Sequence, residues 1–238
     1  MPRPPRTGPK PLSRSKVDFF LRCPRCFWLE QVRGIAQPSS FPFNLNSAVD
    51  HLLKNEFDQY RGGNTVPPRL AREGLRFIPA AHPELAAWRA NFKGIRVQHP
   101  ATGREYFGAI DDLWVDEQGT HYVVDYKATS KSDEVSLEAD WQVGYKRQVE
   151  FYQWLLRGKG LTVSDTAWFV YTNGIRDGAP FDDVLRFRTK VIPYHGNAGW
   201  VEGALEEMER CLELEKAPGP TQDCEMCQFV ERASRIVT

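Results

Sequence analysis

The feature that most constrains this chain is a change of hydrophobic period in its middle. Upstream the apolar residues recur at helical spacing, but between Phe92 and Thr129 they alternate, as on a half-buried strand. Ile95 to His99, Arg104 to Val115 and Thr120 to Ala128 read as three strands of a meander. Their links are Pro100-Ala101-Thr102-Gly103 and Glu117-Gln118-Gly119. The second link fits a three-residue hairpin loop with glycine in the left-handed position. With Asp116 and Thr120 flanking that loop, Asp111 falls opposite Asp125 on one face of the hairpin, Cβ atoms about 5 Å apart. Lys127, two residues on, projects from the same face. Like charges opposed across strands destabilise a sheet unless something neutralises them, and a hard divalent cation, Mg2+ or Mn2+, does so.

The flanking segments supply the rest of an α/β fold. Ser13-Arg14-Ser15-Lys16 is a helix start, and Pro24 interrupts that helix or restarts it as a second segment through Leu29. A helical pattern from Asn46 to Tyr60 carries Val49, Leu52, Leu53, Phe57 and Tyr60 on one stripe. A long helix is expected from Leu137 to Leu156, strands at Thr166–Tyr171 and Val184–Val191, and a helix from Trp200 to Glu215. The order helix, three-strand meander, helix, strand implies a mixed sheet covered by helices. Residues 1–12, rich in proline and basic side chains, are expected to form a disordered arm, and residues 13–238 a single domain.

On the long helix Trp141, Tyr145, Gln148, Tyr152 and Leu155 share one stripe. Gln148 is its polar member, and an amide buried there without a partner costs about 1–3 kcal/mol, so it should face a polar site. The cysteines form two pairs, Cys23-Pro24-Arg25-Cys26 and Cys224-Glu225-Met226-Cys227, with Cys211 left over in a helical pattern. Four thiolates from two such pairs suit tetrahedral zinc or a 4Fe–4S cluster, and either would staple the N-terminal segment to the C-terminal one.

Composition narrows the function classes. Lysine plus arginine and aspartate plus glutamate are 31 each, so no strongly basic nucleic-acid scaffold is written in the net charge. No apolar run approaches the roughly 18 residues of a membrane span. The first residues lack the apolar core of a signal peptide, so the expected location is cytoplasmic, with no membrane partner. In a reducing compartment paired cysteines more often hold metal than form disulfides.

Gly108-Ala109-Ile110-Asp111 followed by Asp125-Tyr126-Lys127, with Gln148-Val149-Glu150-Phe151-Tyr152 on the next helix, resembles the PD-(D/E)XK nuclease superfamily. Within it the chain looks like the RecB-like branch, which includes the CRISPR-associated RecB-like exonucleases and the AddB nuclease domain. The resemblance implies a restriction-endonuclease-like core and a metal-dependent nuclease acting as an exonuclease on single-stranded or end-bearing DNA. It makes Asp111 and Asp125 metal ligands, Lys127 the catalytic lysine, and Gln148 and Tyr152 the glutamine–tyrosine motif. It also calls for a metal ligand from an early helix, with Asp50 and His51 as the candidates. On the helical wheel Asp50 lies about 80° from the apolar stripe and His51 about 180°, so Asp50 is chosen. Ile110 stands where the family usually has proline, and Asn46 where it has glycine.

Relatives of this branch hold an iron–sulfur cluster with one early and three late cysteines, whereas here the division is two and two. A 4Fe–4S cluster is still preferred, with zinc as the alternative. DNA is the implied partner. No Gly-x-x-x-x-Gly-Lys loop is present, so a helicase or DNA-processing motor would be a separate protein. The competing reading is a non-catalytic nucleic-acid-binding or assembly subunit of the same fold.

Overall fold

The structure, a computed structural model, describes residues 9–38, 44–176 and 180–237. Most of the arm expected at residues 1–12 lies outside the described residues. The chain runs through β1 (Leu12–Ser13), α1 (Arg14–Arg22), α2 (Pro24–Arg33), α3 (Asn44–Asp58), α4 (Pro68–Arg72), β2 (Ile78–Pro79) and α5 (Leu85–Trp88). Four strands follow: β3 (Ile95–Gln98), β4 (Glu105–Gly108), β5 (Asp112–Val115) and β6 (His121–Thr129). The remainder is a 3-10 turn (Asp140–Gln142), α6 (Val143–Gly158), β7 (Thr166–Gly174), β8 (Phe187–His195), α7 (Trp200–Leu212) and α8 (Glu225–Val237). No described helix is long and apolar enough to cross a membrane.

Two compact units emerge. One comprises Pro42–Ile95 and Gly108–Ala198. Its sheet has the order β2-β5-β6-β7-β8, antiparallel except for the parallel pair β6–β7, which α6 connects as a crossover. The β5–β6 hairpin keeps the register read from its turn: Asp112 pairs with Val124 and Trp114 with Tyr122. Gly119 adopts φ 80°, and Asp116 Oδ1 accepts the N–H groups of Gln118 and Thr120. Period-two alternation then sends Val124 and Tyr126 to one face and Asp125 and Lys127 to the other. On the first face Val49, Leu53 and Phe57 of α3 pack with Leu70, Trp114, Val124, Tyr126, Trp168 and Val170. Leu52, expected on that stripe, is 65% exposed. It sits about 100° from the centre of the Val49–Leu53–Phe57 row, which at i, i+4, i+8 is narrow.

The other unit comprises Met1–Phe41, Arg96–Phe107 and Gly199–Thr238. Leu12 and Ser13 run parallel to Tyr106 and Phe107, and Arg104 forms an ion pair with Glu209, which also accepts the Tyr106 hydroxyl at 2.7 Å. Pro24 opens α2 at its first turn, where a missing N–H costs nothing. Cys23 ends α1 and caps α2 at once, its Sγ accepting the Cys26 N–H at 3.5 Å.

Four expectations are corrected. The middle strand of the meander, Arg104–Val115, is broken at residues 109–111, and its halves lie in different sheets. The break has a tertiary cause: the Ile110 N–H donates to Trp88 O (3.1 Å) instead of to a ladder, and Ile110 itself is buried. The long helix starts at Val143, because buried Gln142 accepts the Ala139 N–H and donates to Ser136 O, which organises a non-helical approach. The last strand lies at Phe187–His195, not Val184–Val191, after a turn in which Asp182 and Asp183 take positive φ. The helix from Trp200 ends at Leu212, short of Glu215.

Gly94 secures the break. Its φ is +62°, and a Cβ there would stand 2.5 Å from Gly108 O. Gly94→Ala is expected to destabilise the protein by at least about 2 kcal/mol, read as a fall in denaturation midpoint. An unchanged midpoint would mean that the loop relaxes freely.

Candidate active site

Because β5 stops at Asp112 while β6 continues to Thr129, the second half of β6 has an open edge. At that edge the Tyr126 N–H donates to Asp111 Oδ2 at 2.8 Å. A carboxylate thus takes the place of the missing strand and is carried to the end of the sheet. Asp125 is fully buried, and its Oδ1 accepts no hydrogen bond. Lys127 Nζ lies 2.5 Å from Asp125 Oδ2 as an ion pair. The ammonium is held from two further sides, donating to Gln148 Oε1 at 3.3 Å and lying 4.4 Å from the Tyr145 ring centroid. Gln148 in turn donates from Nε2 to the Tyr152 hydroxyl at 3.2 Å. Tyr152 is buried.

These groups border a cavity of about 680 Å³ whose lining includes Asp50, Lys54, Arg89, Asp111, Lys127 and Gln148. Of the two early-helix candidates, Asp50 is half-buried in that wall and His51 is exposed. The structure therefore brings Asp50, Asp111, Lys127 and Gln148 to one cavity, with Asp125 and Tyr152 behind it.

The electrostatics follow from this crowding. Asp111 keeps 23% of its side chain exposed toward the cavity. Its carboxyl is nevertheless raised to about 6, by burial first and the Asp125 carboxylate second, against Lys127, Lys54 and the Tyr126 N–H. Asp50 is also raised, by burial and then by Asp111. Lys127 is pushed upward: Asp125 and Asp111 outweigh the desolvation that works against its charge. A buried aspartate with one oxygen unbonded, close to the Asp111 carboxylate, which in turn stands near Asp50, offers hard-oxygen donors of the kind that Mg2+ or Mn2+ takes.

Five residues, Asp112, Arg61, Arg89, Asp58 and Lys54, escaped the sequence reading. Asp112 is fully buried, accepting Arg61 at 2.7 Å and the Tyr126 hydroxyl at 2.7 Å, which anchors the residue whose N–H holds Asp111. Arg61 and Arg89 share Asp58. Lys54 lies one helical turn from Asp50, 2.8 Å from its Oδ2. The signal for Asp112 was available: two successive aspartates entering a strand must point to opposite faces, so one of them needs a buried partner.

The four paired cysteines meet within the other unit. Their Sγ atoms lie within 4.8 Å of one another, with Cys23–Cys227 and Cys26–Cys224 at 3.7 Å and Cys26–Cys227 at 3.5 Å. A tetrahedral zinc with bonds of about 2.3 Å holds thiolates about 3.8 Å apart, so the spacing fits one ion. Burial opposes the Cys23 thiolate, but donors from Thr221 and Cys26 outweigh it and lower the thiol to about 6. Burial raises Cys26 to about 11. Cys211 is apart from the cluster, its Sγ 3.7 Å from Pro24 O.

The model of the PD-(D/E)XK nuclease superfamily matches residues 44–232, and the chain belongs to that superfamily, whose members are usually metal-dependent nucleases. No curated protein matches it. The solved structure of SSO0001 is similar over 94% of this chain and 86% of that one, at 15% identity and a TM-score of 0.46.

The raised Asp111 carboxyl has a measurable consequence in the cation-free protein. It binds its proton up to about pH 6 when folded, but only up to its ordinary value, 3.8, when unfolded. The folded state therefore holds more protons between these values, and this group's contribution to stability falls as pH rises through that window and stays low above it. Asp111→Asn is expected to raise the melting temperature of chelator-treated protein at neutral pH and to flatten its dependence between about pH 4 and 6. A lowered melting temperature would contradict this.

Proposed function

We propose that the chain is a metal-dependent nuclease that hydrolyses phosphodiester bonds of DNA, with Asp50, Asp111 and Asp125 as ligands of Mg2+ or Mn2+. The observation that carries this reading is the buried Asp125, whose Oδ1 accepts no hydrogen bond while its Oδ2 pairs with the Lys127 ammonium and the Asp111 carboxylate stands nearby. A bound cation would neutralise charge on the phosphodiester and lower the pKa of a water. Lys127, steadied by Gln148 and Tyr145, holds a fixed positive charge at the cavity wall, where it orients the attacking water or meets the charge developing on phosphorus. Gln148, anchored on Tyr152, keeps that ammonium aimed. Action as an exonuclease on single-stranded or end-bearing DNA is inferred from the resemblance to the RecB-like branch.

Labelled single- and double-stranded DNA, incubated with Mn2+ or with chelator, tests the assignment. Cleavage is expected only with the cation, and Lys127→Ala or Asp111→Asn should lower it by about a hundredfold or more while the fold survives. Asp50→Ala should cost far more activity than His51→Ala. Full activity in the Lys127 variant would remove the site assignment. Cation and DNA binding without cleavage in the wild type would point to the non-catalytic role.

For the cysteines we infer one metal centre. The Sγ spacing supports a single tetrahedral ion such as zinc, because a 4Fe–4S cube sits between its thiolates and spreads them wider. Cys224→Ser is expected to lower metal content and thermal stability together, whereas Cys211→Ser leaves metal content unchanged. Elemental analysis and the visible spectrum of anaerobically purified protein decide the metal. A brown protein that bleaches on reduction would assign iron–sulfur, and neither iron nor zinc would rule the centre out.

A further inference from the structure

We infer that Lys54 is a built-in counter-ion of the carboxylate cluster and that its charge sets how tightly the site takes a divalent cation. The inference rests on the reading of Asp50, Asp111 and Asp125 as cation ligands. Helix α3 presents Asp50 and Lys54 one turn apart, with Nζ 2.8 Å from Asp50 Oδ2. On a solvated helix such a pair is routine and weak. This one is neither solvated nor confined to its helix. Lys54 is only 20% exposed, it lines the same cavity as Asp50 and Asp111, and its Nζ also lies 4.0 Å from Asp111 Oδ1, a residue well outside α3 in sequence. The ammonium therefore stands between two carboxylates, Asp50 and Asp111.

Counting charges shows what that position does. Three carboxylates bring three negative charges, Lys127 and Lys54 bring two positive ones, and the neighbouring Arg89 is held by Asp58 at 2.8 Å. With both ammonium groups in place the cluster carries about one net negative charge, and without Lys54 about two, the complement of a divalent ion. A cation approaching Asp50 and Asp111 must break the Lys54–Asp50 pair and then tolerate the ammonium nearby. Lys54 thus keeps the carboxylates folded and compatible when no cation is bound, at the cost of cation affinity. A phosphate entering the cavity offers the displaced ammonium a new partner, so cation and nucleic acid are expected to fill the site together more readily than either alone.

The direction of the effect separates this role from a merely structural one. Mn2+ binding to the full-length chain is measured by calorimetry for wild type, Lys54→Gln and Lys54→Arg, with circular dichroism confirming the fold. Lys54→Gln is expected to bind Mn2+ about tenfold more tightly, the order expected for removal of one unit charge about 4 Å away in partly screened surroundings. Lys54→Arg keeps the charge and should stay within about twofold of wild type. A lysine that only positions Asp50 gives the opposite sign, so unchanged or weaker binding in folded Lys54→Gln overturns the inference. A measurement without any variant stands beside it: Mn2+ should raise the rate at which an amine-acylating reagent labels Lys54 in the wild type, read by mass spectrometry. An unchanged rate overturns the inference too. Asp111→Asn distinguishes the two levels. If wild type binds no Mn2+, or if binding survives Asp111→Asn, the cation site fails and the role of Lys54 with it. Binding lost in Asp111→Asn but unaltered in Lys54→Gln removes Lys54 alone.

Discussion

Tyr126 donates its backbone N–H to a side chain, where its neighbours earlier in β6 have a strand beside them. That bond to Asp111 exists because the chain leaves the sheet between Gly108 and Asp112, and it settles what the open edge becomes. A bare edge would expose unpaired backbone groups and invite pairing with another chain. Here a carboxylate satisfies one of those groups and is fixed at the rim of a cavity. The same residue is restrained at its other end, since its hydroxyl lies on Asp112, which Arg61 neutralises. The charged site is assembled on a strand whose opposite face is packed with aromatic rings: Phe57 lies 5.3 Å from Trp114 and 5.8 Å from Tyr126 between centroids. Rigidity on that face is what permits crowded charge on the other.

Much of this arrangement was legible in residue order. The loop Glu117-Gln118-Gly119 determines a register, and the register places Asp111 beyond the last ladder pair, toward Asp125. The wheel of α3 places Asp50 on the cavity and His51 in solvent. Gln148 could be read as polar on an apolar stripe, and it meets Lys127. What could not be read is the break in the middle strand. The alternation from Tyr106 through Gly108 to Ile110 is that of a continuous strand, and it is interrupted by contacts with residues well upstream: the bond of Ile110 to Trp88, and Gly94 packed against Gly108. Local period carries no trace of such contacts. Lys54 was missed for a related reason, because a lysine four residues after an aspartate reads as an ordinary helix-surface pair until a third carboxylate arrives from elsewhere in the chain.

Two kinds of charge management coexist in this protein. Asp112 is neutralised permanently, by an arginine and a tyrosine that leave it no exposed surface. Asp125 is neutralised provisionally, by a lysine contact on Oδ2 that leaves Oδ1 without a hydrogen bond. The first solution is structural, and its disruption would strand a buried charge. The second leaves coordination capacity unspent, which is the condition a metal ligand has to meet.

The cysteine cluster has a consequence for the order in which the molecule is made. Cys23 and Cys227 are 204 residues apart, and the unit that contains them is drawn from three separated stretches of chain. In chain order the five-stranded sheet is complete at His195, before the second pair of thiolates is translated. Until then Cys23 and Cys26 form a two-ligand site at the start of a helix, able to touch a metal but not to enclose it. The second pair therefore converts an exchangeable thiol pair into a closed site, and the segments on which it sits are joined only after the whole five-stranded sheet has been added to the chain.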